Sequence, residues 1–313
     1  MSVLPEAKTA RRAGATYRQM SLRRREAMWA YAFLLVPFAL FLLIRIYPAI
    51  QAFYLSLHEW SANPANRPFV GMEHYMRLAV DARLGQALLN TVKYTLIGVP
   101  VQLALGLGLA ILLQSIPRFR AFFRALYFAP YVVPAVAIGW VFSWMLSANF
   151  GVVNTLLIAV GIPAQEFLRD PDQALLTVTG VVIWQHLGFQ IVLFLAGLES
   201  IPKTYFEAAR IDGADGWSLF RHIILPLLNG VIVFSTVIFT IRYLQLFTLI
   251  VNLNFTDQGG PLGSTLSVAL YIYQLAFQRF QFGYASAVTV VLFVIVLFVT
   301  LVQMRLITRR VEY

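Results

Sequence analysis

The side chains able to do covalent chemistry are few, and none stands in a catalytic pattern. The chain has no cysteine, which removes thiolate nucleophiles, thiolate metal sites and disulfides. No G-x-x-x-x-G-K-[ST] loop is present to cradle nucleotide phosphates. There is no H-E-x-x-H pair and no cluster of acids or histidines with metal-ligand spacing. A nucleophile-elbow serine is missing too. What remains is polar chemistry inside apolar stretches. Trp140 and Trp144 lie four residues apart, on one face of a helix. Trp184, Gln185, His186 and Gln190 form a second group, and Arg242, Tyr243 and Gln245 a third. Aromatic faces beside hydrogen-bonding groups suit the apolar ring faces and hydroxyls of a sugar. The same residues also serve interhelical hydrogen bonding and packing, so each is a candidate for a solute pathway and not an assignment. Arg45 and Lys93 lie near the ends of apolar runs and can snorkel to the interface.

Six elements must position these groups. Of 313 residues, 59% are hydrophobic and 12% charged, where soluble domains carry roughly a quarter charged residues. The apolar runs are long enough to cross a bilayer, which takes about 20 residues per helix. Expected spans are 28–50, 88–113, 125–146, 174–198, 227–251 and 285–306. They contain no Asp or Glu. The fold class expected is therefore all-α integral membrane. Residues 1–27 form a basic tail, 28–308 the six-span domain and 309–313 a short terminal tail. The first span is too long for a cleaved signal segment and lacks a small-residue cleavage site, so it reads as retained. A short helix is expected within 73–84, and 255–264, with three glycines and a proline, reads as a turn-rich loop.

The net charge is +10, and its distribution argues for topology and against nucleic acid. The N-terminal tail, 115–124, 199–226 and the C-terminal end (Arg305, Arg309 and Arg310) carry seven, three, three and three Lys and Arg residues. The alternate segments 51–87, 147–173 and 252–284 carry three, one and one. The bias places both termini in the cytoplasm.

The cytoplasmic loop 199–226 holds the most informative pattern. Glu207, Ala208 and Ala209 favour helix. Asp212, Gly213 and Ala214 follow, and Gly213 suits a left-handed helix end. A second helical stretch then offers Trp217, Phe220, Ile223 and Ile224 at three- and four-residue spacing, and Pro226 is expected to end it. A linker needs no such stripe.

Glu207-Ala208-Ala209, Gly213, Ile223 and Leu225-Pro226 resemble the EAA loop of binding-protein-dependent permeases, and Asp212-Gly213-Ala214 is typical of their carbohydrate branch. The likeness runs along nearly the whole chain. It takes in Phe69-Val70-Gly71 with Tyr75, Asn90-Thr91, Phe128-Ala129-Pro130, and Gly151 with Asn154. It continues through Gly259-Gly260-Pro261, Thr265, Tyr271-Ile272-Tyr273, Ala276-Phe277 and Gly283-Tyr284-Ala285-Ser286-Ala287. These features are similar to the maltose- and glycerol-phosphate-type permeases of ATP-binding-cassette importers, of the upstream-subunit kind. The resemblance implies a type I importer permease in the inner membrane, with no cofactor and no enzyme activity of its own. It implies a second homologous permease, two ATPase subunits and an extracytoplasmic solute-binding protein as partners. It also implies that 214–220 docks on the ATPase, that Glu207 makes a charged contact there and that Gly213 provides the bend. An ion-coupled secondary transporter would want intramembrane acids, which the spans lack. A non-transporting membrane scaffold would leave the amphipathic loop unexplained.

Overall fold

The computed structural model describes residues 7–61, 67–116, 118–254 and 258–307, with side chains within 22–306 and Arg210 excepted. Pro64, the 255–257 part of the turn-rich loop and the tail 309–313 lie outside the described residues, as does the start of the basic N-terminal segment. The described residues form helices joined by loops; the one β-type pairing among them is an isolated bridge between His58 and Phe69.

Residues 1–55 and 56–313 form two units. The first contains α1 (Ala7–Phe41) and α2 (Tyr47–Leu55), joined by a π-turn at Leu42–Ile46. That turn has a local cause. Pro48 lacks an N–H and crowds the carbonyl one turn back, and the chain widens just before it, with Tyr47 N–H bonded to Leu42 C=O. Helix therefore extends well before residue 28, the expected start of the first span.

In the second unit, α3 (Glu73–Val80) is separated from α4 (Ala82–Gln114) by Asp81. The Asp81 carboxylate accepts from the N–H groups of Arg83 and Leu84, which caps α4. The cap starts the helix six residues before the apolar run that marked the second span. Asp170 does the same for α8 (Pro171–Glu199), with Pro171 at its first position. Helix α15 (Phe282–Ile307) closes the described chain.

Two expected spans are corrected. The third is not one helix: α5 (Arg120–Val132) and α6 (Ala135–Met145) meet at 95°. Pro134 supplies no N–H, and Val133 before it is extended at φ −69°, ψ 134°, as the steric demand of a following proline requires. The fifth is also interrupted: α12 (Asn229–Leu244) ends before α13 (Thr248–Leu253). The hydroxyl of Ser267 donates to the Leu246 carbonyl that this break releases, and such side-chain partners are what allow a membrane helix to break. Among the described residues four helices are long and apolar enough to cross a membrane, or six if α5 with α6, and residues 216–227 with α12, each make one bent crossing.

Helices α4 and α8 form the central pair, with α5 and α12 packed on them and α15 on α12. Close approach depends on missing side chains. A Cβ on Gly188 of α8 would lie 2.0 Å from the Tyr127 carbonyl oxygen, and one on Gly98 of α4 would lie 2.3 Å from the Tyr243 ring. In lipid, backbone proximity of this kind replaces the hydrophobic drive between helices.

Candidate functional site

Both helix breaks open on the same space. A cavity of about 560 Å³ is lined by Tyr131–Ala135 from the α5–α6 junction and by Arg242, Tyr243 and Gln245–Leu249 from the α12–α13 junction. Gln185, His186, Val182 and Phe239 complete it. A volume of this size is ordinary for a small-molecule site. Each break ends one helix and starts another at this cavity. The side chains of its wall, among them Tyr131, Gln185, Arg242 and Gln245, carry acceptors and donors together, which is the requirement of a hydroxyl-rich solute.

Four candidate pathway residues, Gln185, Arg242, Tyr243 and Gln245, are brought together here. The Gln185 side chain is 5% exposed and its Oε1 has no hydrogen-bond partner. Arg242 is exposed and donates from Nη2 to the Tyr131 hydroxyl at 3.2 Å. Tyr243 contributes ring surface and backbone; its ring abuts Gly98, where an added Cβ would lie 2.8 Å from the hydroxyl.

The remaining candidates lie elsewhere. Trp184 packs on Phe142, with ring centroids 4.9 Å apart. Trp144 packs on Phe150 and lines a separate cavity of about 380 Å³ with Glu166, Arg169 and Asn254. Trp140 is exposed on α6. Gln190 is fully buried against Gly106 of α4, where a Cβ would lie 2.2 Å from its Cγ. Tyr131 escaped the sequence reading. The available signal was its place between Pro130 and Pro134, two residues that disturb a helix.

The 199–226 loop folds as two helices about a bend. Helix α9 (Lys203–Ile211) carries Glu207 and Ala208 on its exposed side, with Ala209 turned inward. Asp212 is exposed, and its N–H continues the helix to the Ala208 carbonyl. Gly213 sits at φ +78°, and Ala214 N–H closes the helix end on the Ala209 carbonyl at 2.8 Å. This is the long bond of a Schellman motif, whose left-handed residue is usually glycine. The chain then enters α10 (Gly216–Leu219), a π-turn at Phe220–Ile224 and α11 (Leu225–Leu227). The π-turn again precedes a proline, Pro226. That proline does not end the stretch; it turns by 69° into α12 at Leu228.

The bend presents apolar surface outward. Trp217 is 70% exposed and Ile211 87%. Trp217 packs on the half-buried Phe220 with ring centroids 5.1 Å apart. The stretch is also anchored to the long helices, because Ile224 and Leu228 join Leu113, Phe194, Leu195 and Leu198 in one buried cluster. Arg120 ties the same end, donating to the Leu113 and Gln114 carbonyls and pairing with Glu199 at 3.0 Å.

A model of the family described as binding-protein-dependent transport system inner membrane component matches residues 102–313. The chain is 35% identical to the lactose transport system permease protein of Rhizobium radiobacter, over 92% of this chain and 97% of that one. It is 31% identical to the trehalose/maltose transport system permease protein of Thermococcus litoralis, over 91% and 95%. A crystal structure of a bacterial ABC transporter involved in the import of the acidic polysaccharide alginate contains a chain that is similar with TM-score 0.77 at 25% identity. That match covers 92% of this chain and 99% of that one. The matched region holds both helix breaks, the cavity and the bent loop. The chain belongs to the binding-protein-dependent transport system inner membrane component family, as a membrane-embedded permease subunit of an ABC importer and not an enzyme.

Proposed function

We propose that this chain forms half of the translocation pathway for a sugar or related polar solute, and that the cavity at the two helix breaks is part of that pathway. The observation that carries this reading is the convergence of both breaks on one polar-lined space. Broken helices persist at membrane depth only where protein or a water-filled cavity receives the released backbone, and both breaks lie at this one cavity. The names of the relatives, which transport lactose and trehalose/maltose, support a carbohydrate as the solute.

The partners follow from the same reading. The solute arrives on an extracytoplasmic binding protein, a second homologous permease supplies the other half, and two ATPases drive the cycle. The 203–227 helices are the ATPase contact, with the exposed Trp217 and Ile211 as its apolar part and Glu207 as its charged part. Both termini face the ATPase side, as the lysine and arginine bias favours. ATP-driven closure pushes on α10, and the buried Ile224–Leu228 joint passes the movement to α4, α8 and α12. The pathway then alternates between two populated states.

The test is ATP-dependent accumulation of labelled sugar in proteoliposomes holding the complete importer. Gln185→Leu keeps the side-chain volume and removes the amide from the cavity wall. We expect accumulation to fall roughly tenfold while the ATPases still co-purify. Unchanged accumulation would place the pathway elsewhere.

A further inference from the structure

We propose that the transported solute carries an anionic group, a carboxylate, sulfonate or phosphate on the sugar, and that Arg242 receives it in the cavity. This rests on the reading of the cavity as the solute pathway and adds the charge of its occupant.

Arg242 lies near the end of α12, within a stretch apolar enough to cross a membrane. A guanidinium at that depth is costly unless a counter-charge or water-filled space receives it. No acid among the described residues does so: the one ion pair among them is Arg120–Glu199, and none of the cavity's lining residues is Asp or Glu. The partners Arg242 has are weak ones. A single hydrogen bond reaches the Tyr131 hydroxyl at 3.2 Å, and the Tyr131 and Phe189 rings lie 5.7 and 5.9 Å away. One of five N–H donors is used, and the planar fork of the guanidinium is free to meet an anion bidentately. Tyr131 accepts from Arg242 and so keeps its own hydroxyl proton to donate to the same anion. Gln185 stands in the wall of this space, its Oε1 buried and without a partner. A neutral sugar passing Arg242 would displace water from the guanidinium and leave its charge uncompensated. An anionic sugar neutralises it in transit.

The experiment uses the complete importer with its binding protein in proteoliposomes and two labelled panels. Lactose, maltose and trehalose form the neutral panel; lactobionate, digalacturonate and trehalose 6-phosphate form the anionic one. We expect accumulation from the anionic panel, a roughly 10- to 100-fold loss in Arg242→Gln, and substantial retention in Arg242→Lys, which keeps the charge. Co-purification of the ATPases with each variant reports assembly. If Arg242→Gln fails to assemble while Arg242→Lys assembles and transports, Tyr131→Phe replaces it, with loss confined to the anionic panel expected. Accumulation of neutral sugars alone overturns the inference and leaves the importer function standing. Anion uptake insensitive to Arg242→Gln or to Tyr131→Phe overturns the assignment of the residues. A variant of either residue that loses neutral uptake equally marks Arg242 as structural, paired with the partner permease. No accumulation from either panel, with ATP hydrolysis intact, sinks the sugar-importer reading and this inference together.

Discussion

At the scale of residues, the cavity is built from side chains whose types are common and whose positions are not. Gln185, His186 and Arg242 stand out in sequence because polar groups in apolar runs are costly. Trp140, Trp144 and Trp184 stand out equally, yet the structure places them on exposed or separately packed faces. Spacing alone assigns a face of a helix but not what that face meets. Asp81 was illegible as a structural residue for the same reason. Its Oδ1 caps α4, and its Oδ2 accepts from the Tyr271 and Tyr284 hydroxyls at 2.6 Å each, joining α4 to α14 (Val268–Tyr273) and α15. Burial raises the Asp81 carboxyl, but the two tyrosine hydroxyls and the Leu84 and Arg83 N–H groups outweigh it and hold it below the ordinary 3.8. A carboxyl lowered by folding stabilises the fold above its unfolded value and loses that contribution as pH falls through the lower folded value. Thermal unfolding of the purified subunit should therefore show a step of destabilisation below about pH 4 that Asp81→Asn removes. At neutral pH, Asp81→Ala should cost about 1–3 kcal/mol from the lost cap and the orphaned hydroxyls. Equal stability of wild type and Asp81→Ala at pH 7 would dissolve this junction.

At the scale of elements, the long apolar helices and the bent loop were legible and the breaks were not. Helices α4, α8 and α15 fall over the expected spans, extended where Asp81 and Asp170 cap them. The loop was legible because glycine at a helix end and a 3.6-residue apolar stripe are local signals, and Gly213 does take the left-handed conformation. The α5–α6 break had a readable cause in Pro134. The α12–α13 break has no proline or glycine at Gln245–Phe247, and depends on Ser267, 21 residues on, to receive the Leu246 carbonyl. That tertiary cause is invisible in a window of sequence. Gly213 gives the element-scale prediction. Proline fixes φ near −65°, incompatible with +78°, so Gly213→Pro should reorient α10 against α9. We expect the variant to insert in membranes at normal levels and to lose solute accumulation, measured in vesicles against wild type. Wild-type accumulation would mean that the bend transmits nothing.

At the scale of the whole molecule, one buried joint connects the polar cavity to an exposed apolar projection. Ile224 and Leu228 link the projection to α4 and α8, and the helix that leaves the joint, α12, carries Arg242 to the cavity. Packed side chains thus run without interruption from the loop to the long helices. The central claim is that the projection is the seat of an ATPase, and one measurement addresses it directly. The chain has no native cysteine, so a single cysteine at Ala214, half-buried at the bend, can be cross-linked in membranes and its adducts identified by mass spectrometry. The account predicts an adduct between this position and an ATP-binding-cassette ATPase. With the ATPase present in the same membranes, no adduct from Ala214 or its neighbours would contradict it.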